Sequence, residues 1–264
     1  FQLLRFFSYH MIPKIIHLCW LSGDPYPADI EACLKTWKEH LPDYEIWLWD
    51  THRFDIHSTK WTEQAFAARK YAFAADYIRL YALYHFGGIY LDSDVVVYKS
   101  FDDLLSLPYF IGHDQIGGFE AAVIGAQKGC LWIKDVLDEY GGKTFLKDNG
   151  EMDMLPLPCR FHHVLVEKGY RFHRICRLEH YDESPKLLHV FDGDFFNSRN
   201  AIEVRQTKKS YCAHNYMGSW AKPAKGFSIK RYIPKYMLKM IYIIGQKTYN
   251  RNKYNWFKIP FENQ

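Results

Sequence analysis

The sequence predicts an α/β fold on a largely parallel sheet, and three observations carry that prediction. Short β-branched or alternating apolar runs recur along the chain. Segments with three- and four-residue apolar spacing separate them, and clusters of Gly, Pro and Asp mark the changes. The first strand is read over Ile12–Trp20, closed by Ser22-Gly23-Asp24-Pro25. A helix follows over 28–40, with Ile30, Cys33, Leu34 and Trp37 on one face, and then a second strand over Tyr44–Trp49. Strand, helix, strand is the opening of a βαβ unit. One long helix is expected from Thr62 to about Phe86, ended by Gly87-Gly88. Two apolar pieces in Ile89–Tyr98 flank Asp92-Ser93-Asp94. Residues 109–125 read as strand–loop–strand, Leu131–Tyr140 as a helix, 141–159 as a loop and Phe161–Lys168 as a short helix. Leu187–Asp192 and Ser210–His214 read as short strands. Composition changes near Trp220, which divides the chain into a body over 11–220 and a tail over 221–264.

At 264 residues the chain can build one large domain with an ample core, and 48% hydrophobic with 24% charged residues excludes a disordered chain. Aromatic residues reach 18%, a surplus that suits thick core layers or a cleft that stacks rings and sugars. The net charge of +4 divides into +9 over 221–264 and −5 over 1–220. An acidic body argues against nucleic-acid binding, and the basic tail suits an anionic surface. The six cysteines, at 19, 33, 130, 159, 176 and 212, include no C-x-x-C, so they read as reduced thiols of a cytoplasmic protein. No run of 18 or more uncharged apolar residues reads as a membrane span, and Met11 is read as the natural start.

Two motifs carry chemistry. In Gly87-Gly88-Ile89-Tyr90-Leu91-Asp92-Ser93-Asp94, two acids lie between buried strand pieces and therefore need a partner. At a strand's C-terminal edge they can converge on a hard divalent ion, which takes oxygen ligands and completes its shell with phosphate oxygens. On the preceding helix, Asp76 and Arg79 share a face. Their neighbours Ala72, Ala75, Leu80 and Leu83 suggest a buried helix whose charges face a polar cleft. Two decoys fail. Gly141-Gly142-Lys143-Thr144 imitates a P-loop end, but position 137 is Leu, and His162-His163 near Cys159 lacks a fourth zinc ligand.

The segments Ile12–Gly23, Ala74–Arg79, Gly87–Asp94, Ile124–Gly129 and His214–Trp220 resemble glycosyltransferase family 32 in order and spacing, over roughly residues 12–220. The resemblance implies a GT-A fold: a Rossmann-like nucleotide-binding core with a mixed, mostly parallel sheet. It also implies a divalent metal, Mn²⁺ or Mg²⁺, and a retaining transfer from a nucleotide sugar. By the same resemblance, Trp20 stacks on the nucleotide base, while Asp76 and Arg79 grip the donor sugar and diphosphate. Asp92 contacts the ribose or the metal, Asp94 ligates the metal, and Ser219 and Trp220 close over the diphosphate. His214 and Asn215 stand where related enzymes place a late metal or phosphate contact, although many members carry two consecutive His there.

The expected activity is hexose transfer from UDP-galactose or UDP-glucose to a lipid-linked saccharide acceptor in surface-polysaccharide synthesis. A toxin-like glucosyltransferase and a catalytically silent nucleotide-sugar-binding module are the rivals. Over residues 226–258, Lys and Arg interleave with Tyr, Met, Ile and Trp, and positions 233, 237, 240, 241 and 244 follow helical spacing. That stretch reads equally as a peripheral anchor on the inner face of a membrane or as a C-terminal helix packed on the body.

Overall fold

The computed structural model describes residues 11–114, 117–179, 181–182, 184–197, 206–216 and 258–262. The opening unit follows the sequence pattern closely. Strand β1 (Ile15–Cys19) leads into α1 (Ala28–His40) and returns in β2 (Glu45–Trp49). Helix α1 carries Asp29 and Glu31 in its first turn and Lys38 and His40 in its last, the charge order its dipole favours. It buries Ile30, Cys33 and Trp37.

The single helix expected over Thr62–Phe86 is instead two, α2 (Lys60–Ala67) and α3 (Tyr71–Phe86). Arg69 adopts φ 55°. Its N–H donates to Phe66 O and the Lys70 N–H to Ala65 O, both at 2.8 Å. This is a Schellman stop made without glycine, so neither Gly nor Pro announces it. Helix α3 ends at Gly87 (φ 67°), where a Cβ would come within 2.7 Å of Lys128 N.

Strand β3 (Gly88–Leu91) follows, then β4 (Val95–Val97), a 3-10 turn (Asp102–Leu104), β5 (Tyr109–His113) and β6 (Phe119–Ala126). Next come α4 (Leu131–Asp138), α5 (Leu157–Glu167), β7 (Arg171–Ile175), β8 (Leu187–Phe191), α6 (Gly193–Phe196) and β9 (Cys212–His214). Helix α5 starts four residues before the predicted Phe161, and β7 and α6 are additional to the predicted elements.

The seven-stranded sheet has the order β2-β1-β3-β6-β5-β8-β7. Pairs β1–β2, β1–β3, β5–β8 and β7–β8 are parallel, and only β6 opposes its neighbours. The mixed, mostly parallel sheet is therefore as expected. Its faces carry two apolar layers, and β3 shows the alternation: Tyr90 joins the layer under α3, α4 and α5, while Ile89 and Leu91 join Trp37 of α1 and Val95 of β4. Strands β4 and β9 form a separate antiparallel pair. The Trp37 indole N–H donates to Val95 O at 2.7 Å, tying that pair to α1.

All six cysteines are free thiols. Among the described residues no helix is long and apolar enough to cross a membrane. The amphipathic stretch at 226–258 lies outside the described residues except for its last residue. Residues 258–262 pack on the body: Ile259 is buried, its N–H donates to Gly117 O at 2.9 Å, and the Glu262 N–H donates to Phe172 O at 3.0 Å beside β7.

Candidate active site

Strands β1 and β3 are parallel neighbours, so the chain leaves both at one sheet edge. Trp20 follows β1 there, and Asp92 follows β3. Ligands of open α/β sheets gather beyond this carboxyl edge.

Asp92 is held from below. The Asp92 N–H donates to Ala122 O at 2.9 Å, extending the β3–β6 ladder by one residue. Side-chain alternation puts Tyr90 and Asp92 on the same face, where the Tyr90 hydroxyl donates to Asp92 Oδ1 at 2.8 Å. Arg79, from α3, lies over the Tyr90 ring, 4.4 Å from its centroid. Its guanidinium reaches Asp76 Oδ1 at 3.0 Å, Asp92 Oδ1 at 3.3 Å and Ala121 O at 2.7 Å. With its side chain only 7% exposed, Arg79 is a buried strut between two carboxylates.

Asp94 is placed by the second sheet. Val95 N–H donates to Asp92 O at 3.0 Å, which folds Asp92-Ser93-Asp94 into a turn, and Asn215 N–H donates to Asp94 O at 3.1 Å. Val95 pairs with His214 in the β4–β9 register. His214 Nε2 lies 3.3 Å from Asp94 Oδ1, and Nδ1 lies 3.2 Å from Glu120 Oε1. One ligand atom each from Asp92, Asp94 and His214 falls within 4.8 Å of the others. Two carboxylate oxygens and one imidazole nitrogen at that spacing suit a divalent ion such as Mn²⁺ or Mg²⁺, with positions left for phosphate oxygens.

Burial governs the electrostatics. It pushes the Asp76 carboxyl up to about 7 against the pull of Arg79, whose single guanidinium also serves Asp92. Burial disfavours a charged His214, yet Glu120 and Asp94 outweigh it and raise its pKa well above the ordinary value. Glu120 is held below the usual carboxylate range: burial opposes ionisation, but His214, the Ala122 N–H and Tyr216 prevail.

Trp20 is half-buried, with its indole N–H donating to Asp24 O at 2.8 Å and its ring 4.8 Å from that of Tyr26. Asp76, Arg79, Asp92, Asp94 and His214 thus come together, Trp20 stands on the same sheet edge, and Ser219 and Trp220 lie outside the described residues. A cavity of about 500 Å³ is lined by Ser58, Thr59, Tyr77, Tyr140 and Lys143, beside the residue that follows Asp76 rather than at Asp92 and Asp94. Sequence reasoning missed Glu120, a 3% exposed acid on the central strand β6. The one available signal is an acid directly before the apolar run Ala121–Ala126.

Residues 27–111 match the family model described as a glycosyltransferase sugar-binding region containing a DXD motif, and Asp92-Ser93-Asp94 is the matching triplet. Over these residues, about a third of its length, the chain is similar to this DXD-containing glycosyltransferase family. It is 33% identical over 130 residues to inositol phosphoceramide mannosyltransferase 3 of Schizosaccharomyces pombe, covering 48% of this chain and 36% of that protein. A glycosyltransferase of Acanthamoeba polyphaga mimivirus is 24% identical over 269 residues, covering 95% of this chain and 99% of its relative. The chain spans about a third to a half of the two Schizosaccharomyces pombe mannosyltransferases it matches. Among solved structures, the PaToxG glycosyltransferase aligns at 23% identity and TM-score 0.46, over 60% of this chain and 70% of that one.

Proposed function

We propose that this DXD glycosyltransferase is metal-dependent and moves a hexose from a nucleoside-diphosphate sugar to an acceptor hydroxyl. The convergence of Asp92, Asp94 and His214 at the sheet's carboxyl edge, with both acids inside the matched sugar-binding region, is the observation that carries this reading. Asp94 and His214 would hold the ion directly, with Asp92 beside them. A divalent cation at this position supplies positive charge next to a departing diphosphate, worth several kcal/mol to such a transition state, as an order of magnitude. Arg79 fixes the Asp92 carboxylate and, through it, the ligand geometry. Asp76, paired with the same Arg79, carries a carboxyl group that can accept or donate a hydrogen bond to sugar hydroxyls. Trp20 offers an aromatic face to the base.

Retention of anomeric configuration is read as attack from the leaving group's face. The acceptor oxygen bonds to the anomeric carbon as the bond to the diphosphate oxygen breaks, and that phosphate accepts the acceptor's proton. The two Schizosaccharomyces pombe relatives are named as inositol phosphoceramide mannosyltransferases, which favours a mannosyl donor and a lipid-borne acceptor over the UDP-galactose or UDP-glucose read from the sequence. The body–tail division at residue 220 and peripheral membrane contact through the basic tail belong to the same proposal. Loss of liposome flotation on removing residues 226–264 would support that contact, and unchanged flotation would remove it.

Nucleotide release from a panel of UDP- and GDP-sugars, with and without Mn²⁺, tests the activity. Metal-dependent release that disappears in Asp94→Asn is expected. Release that persists unchanged in chelator overturns the metal assignment, and failure to turn over any donor favours a silent binding module.

A further inference from the structure

We infer that Glu120 is a positioning residue for the ion site: its carboxylate anchors His214 Nδ1–H, so that Nε2 is directed at the point where Asp92 and Asp94 converge. The inference rests on the ion-binding reading above. A carboxylate on a fully buried central strand costs several kcal/mol unless it is paired and hydrogen-bonded. Glu120 meets that requirement. Oε1 accepts from the Ala122 N–H at 3.0 Å and faces His214 Nδ1 at 3.2 Å. Oε2 accepts from the Tyr216 hydroxyl at 3.0 Å and from the Asn197 side-chain amide.

Of these four partners, only His214 can carry charge. The other three fix where the carboxylate lies, and the carboxylate then fixes the ring. Glu120 and Asp94 approach opposite nitrogens of one imidazole, so a flipped ring would give up its contact with both acids. The Tyr216 ring, 4.1 Å from that of His214, closes one side. A metal-ligating histidine whose other nitrogen donates to a carboxylate has its tautomer and orientation set in advance, and loss of such a support weakens metal binding about 10- to 100-fold. Glu120 stands 94 residues from His214 and 77 from Asn197, so no local motif could have revealed the arrangement.

Glu120→Gln keeps the size of the side chain and removes its charge. Mn²⁺ binding to the full chain, titrated by EPR without donor, is expected to weaken about 10- to 100-fold in this variant. Circular dichroism reports whether the fold survives, and Tyr216→Phe, which removes one support of Oε2, is expected to weaken Mn²⁺ a few-fold. Nitrogen-15 NMR of the Mg²⁺-loaded protein supplies a readout that a merely structural role would not move. His214 should be protonated at Nδ1 alone in the wild type, where the ion holds Nε2, and Glu120→Gln at the same Mg²⁺ concentration should show a fraction protonated at Nε2, where the ion is lost. A folded Glu120→Gln with wild-type Mn²⁺ affinity overturns the inference while leaving the ion site standing. If Glu120→Gln does not fold, unchanged Mn²⁺ affinity in Tyr216→Phe overturns it instead. A wild-type chain that binds no Mn²⁺ overturns the ion site and this inference together.

Discussion

His17 makes stability depend on pH in a way that can be worked out from its two hydrogen bonds. It is fully buried on β1, and Nε2 lies 2.7 Å from Gly87 O, a carbonyl that can only accept, so Nε2 carries the proton. Nδ1 accepts from the Trp49 indole N–H at 3.0 Å and is therefore unprotonated. Charging the ring would bury a cation and set a proton at Nδ1 against the Trp49 N–H. Burial, with the nearby Arg53 guanidinium adding repulsion, lowers the pKa to about 4 although the Gly87 bond opposes the shift. The unfolded chain binds this proton near 6.5 and the folded chain only near 4. Stability from the neutral ring is complete above about pH 6.5 and falls as the pH drops towards 4. The loss amounts to about 3 kcal/mol at roughly 1.4 kcal/mol per unit. Urea unfolding of the wild type and of His17→Gln, at steps between pH 7.5 and 4, isolates this contribution. The variant starts lower, having lost the Trp49 bond, but the wild type should lose about 3 kcal/mol more than it across the window. Parallel stability curves would refute the assignment. The consequence reaches the site because Gly87 joins α3 to β3, the elements that carry Arg79 and lead to Asp92.

Other substitutions test further parts of the account. Arg79→Ala strips the shared cation from Asp76 and Asp92 and should cost about 3–5 kcal/mol in chemical denaturation; a loss under 1 kcal/mol would show that the strut does not bear on stability. At Gly125 a Cβ would lie 2.1 Å from the Phe110 ring, so Gly125→Ala should destabilise by about 1–3 kcal/mol, read as a lower melting temperature. Cys176 is the only exposed thiol, so a thiol reagent should label about one cysteine rapidly in the native protein, and Cys176→Ser should abolish that phase.

What was legible in the sequence follows the range of the interactions. Helix α1 needed only its apolar spacing, and its boundaries match the predicted 28–40. Asp76 and Arg79 lie on one turn of α3, and Asp92 and Asp94 flank one residue, so their proximity was local information. The α2–α3 break was hidden because its left-handed residue is Arg69 rather than glycine. Strand β7 was hidden for a different reason: in Arg171-Phe172-His173-Arg174-Ile175 the two apolar residues stand three apart, so the alternation that marks a strand is missing. Glu120 was invisible because an acid in an apolar strand looks solvated until a histidine 94 residues away turns out to face it. The pairing of β4 with β9 that delivers His214 to Asp94 depends equally on tertiary packing.

The most direct test is anomalous scattering at the manganese edge from crystals grown with Mn²⁺ and a nucleoside diphosphate. One manganese is expected within roughly 2.0–2.3 Å of an Asp94 oxygen and of His214 Nε2, facing the phosphates. A bound nucleotide with no manganese beside Asp94, or with the ion held by other side chains, would contradict that expectation.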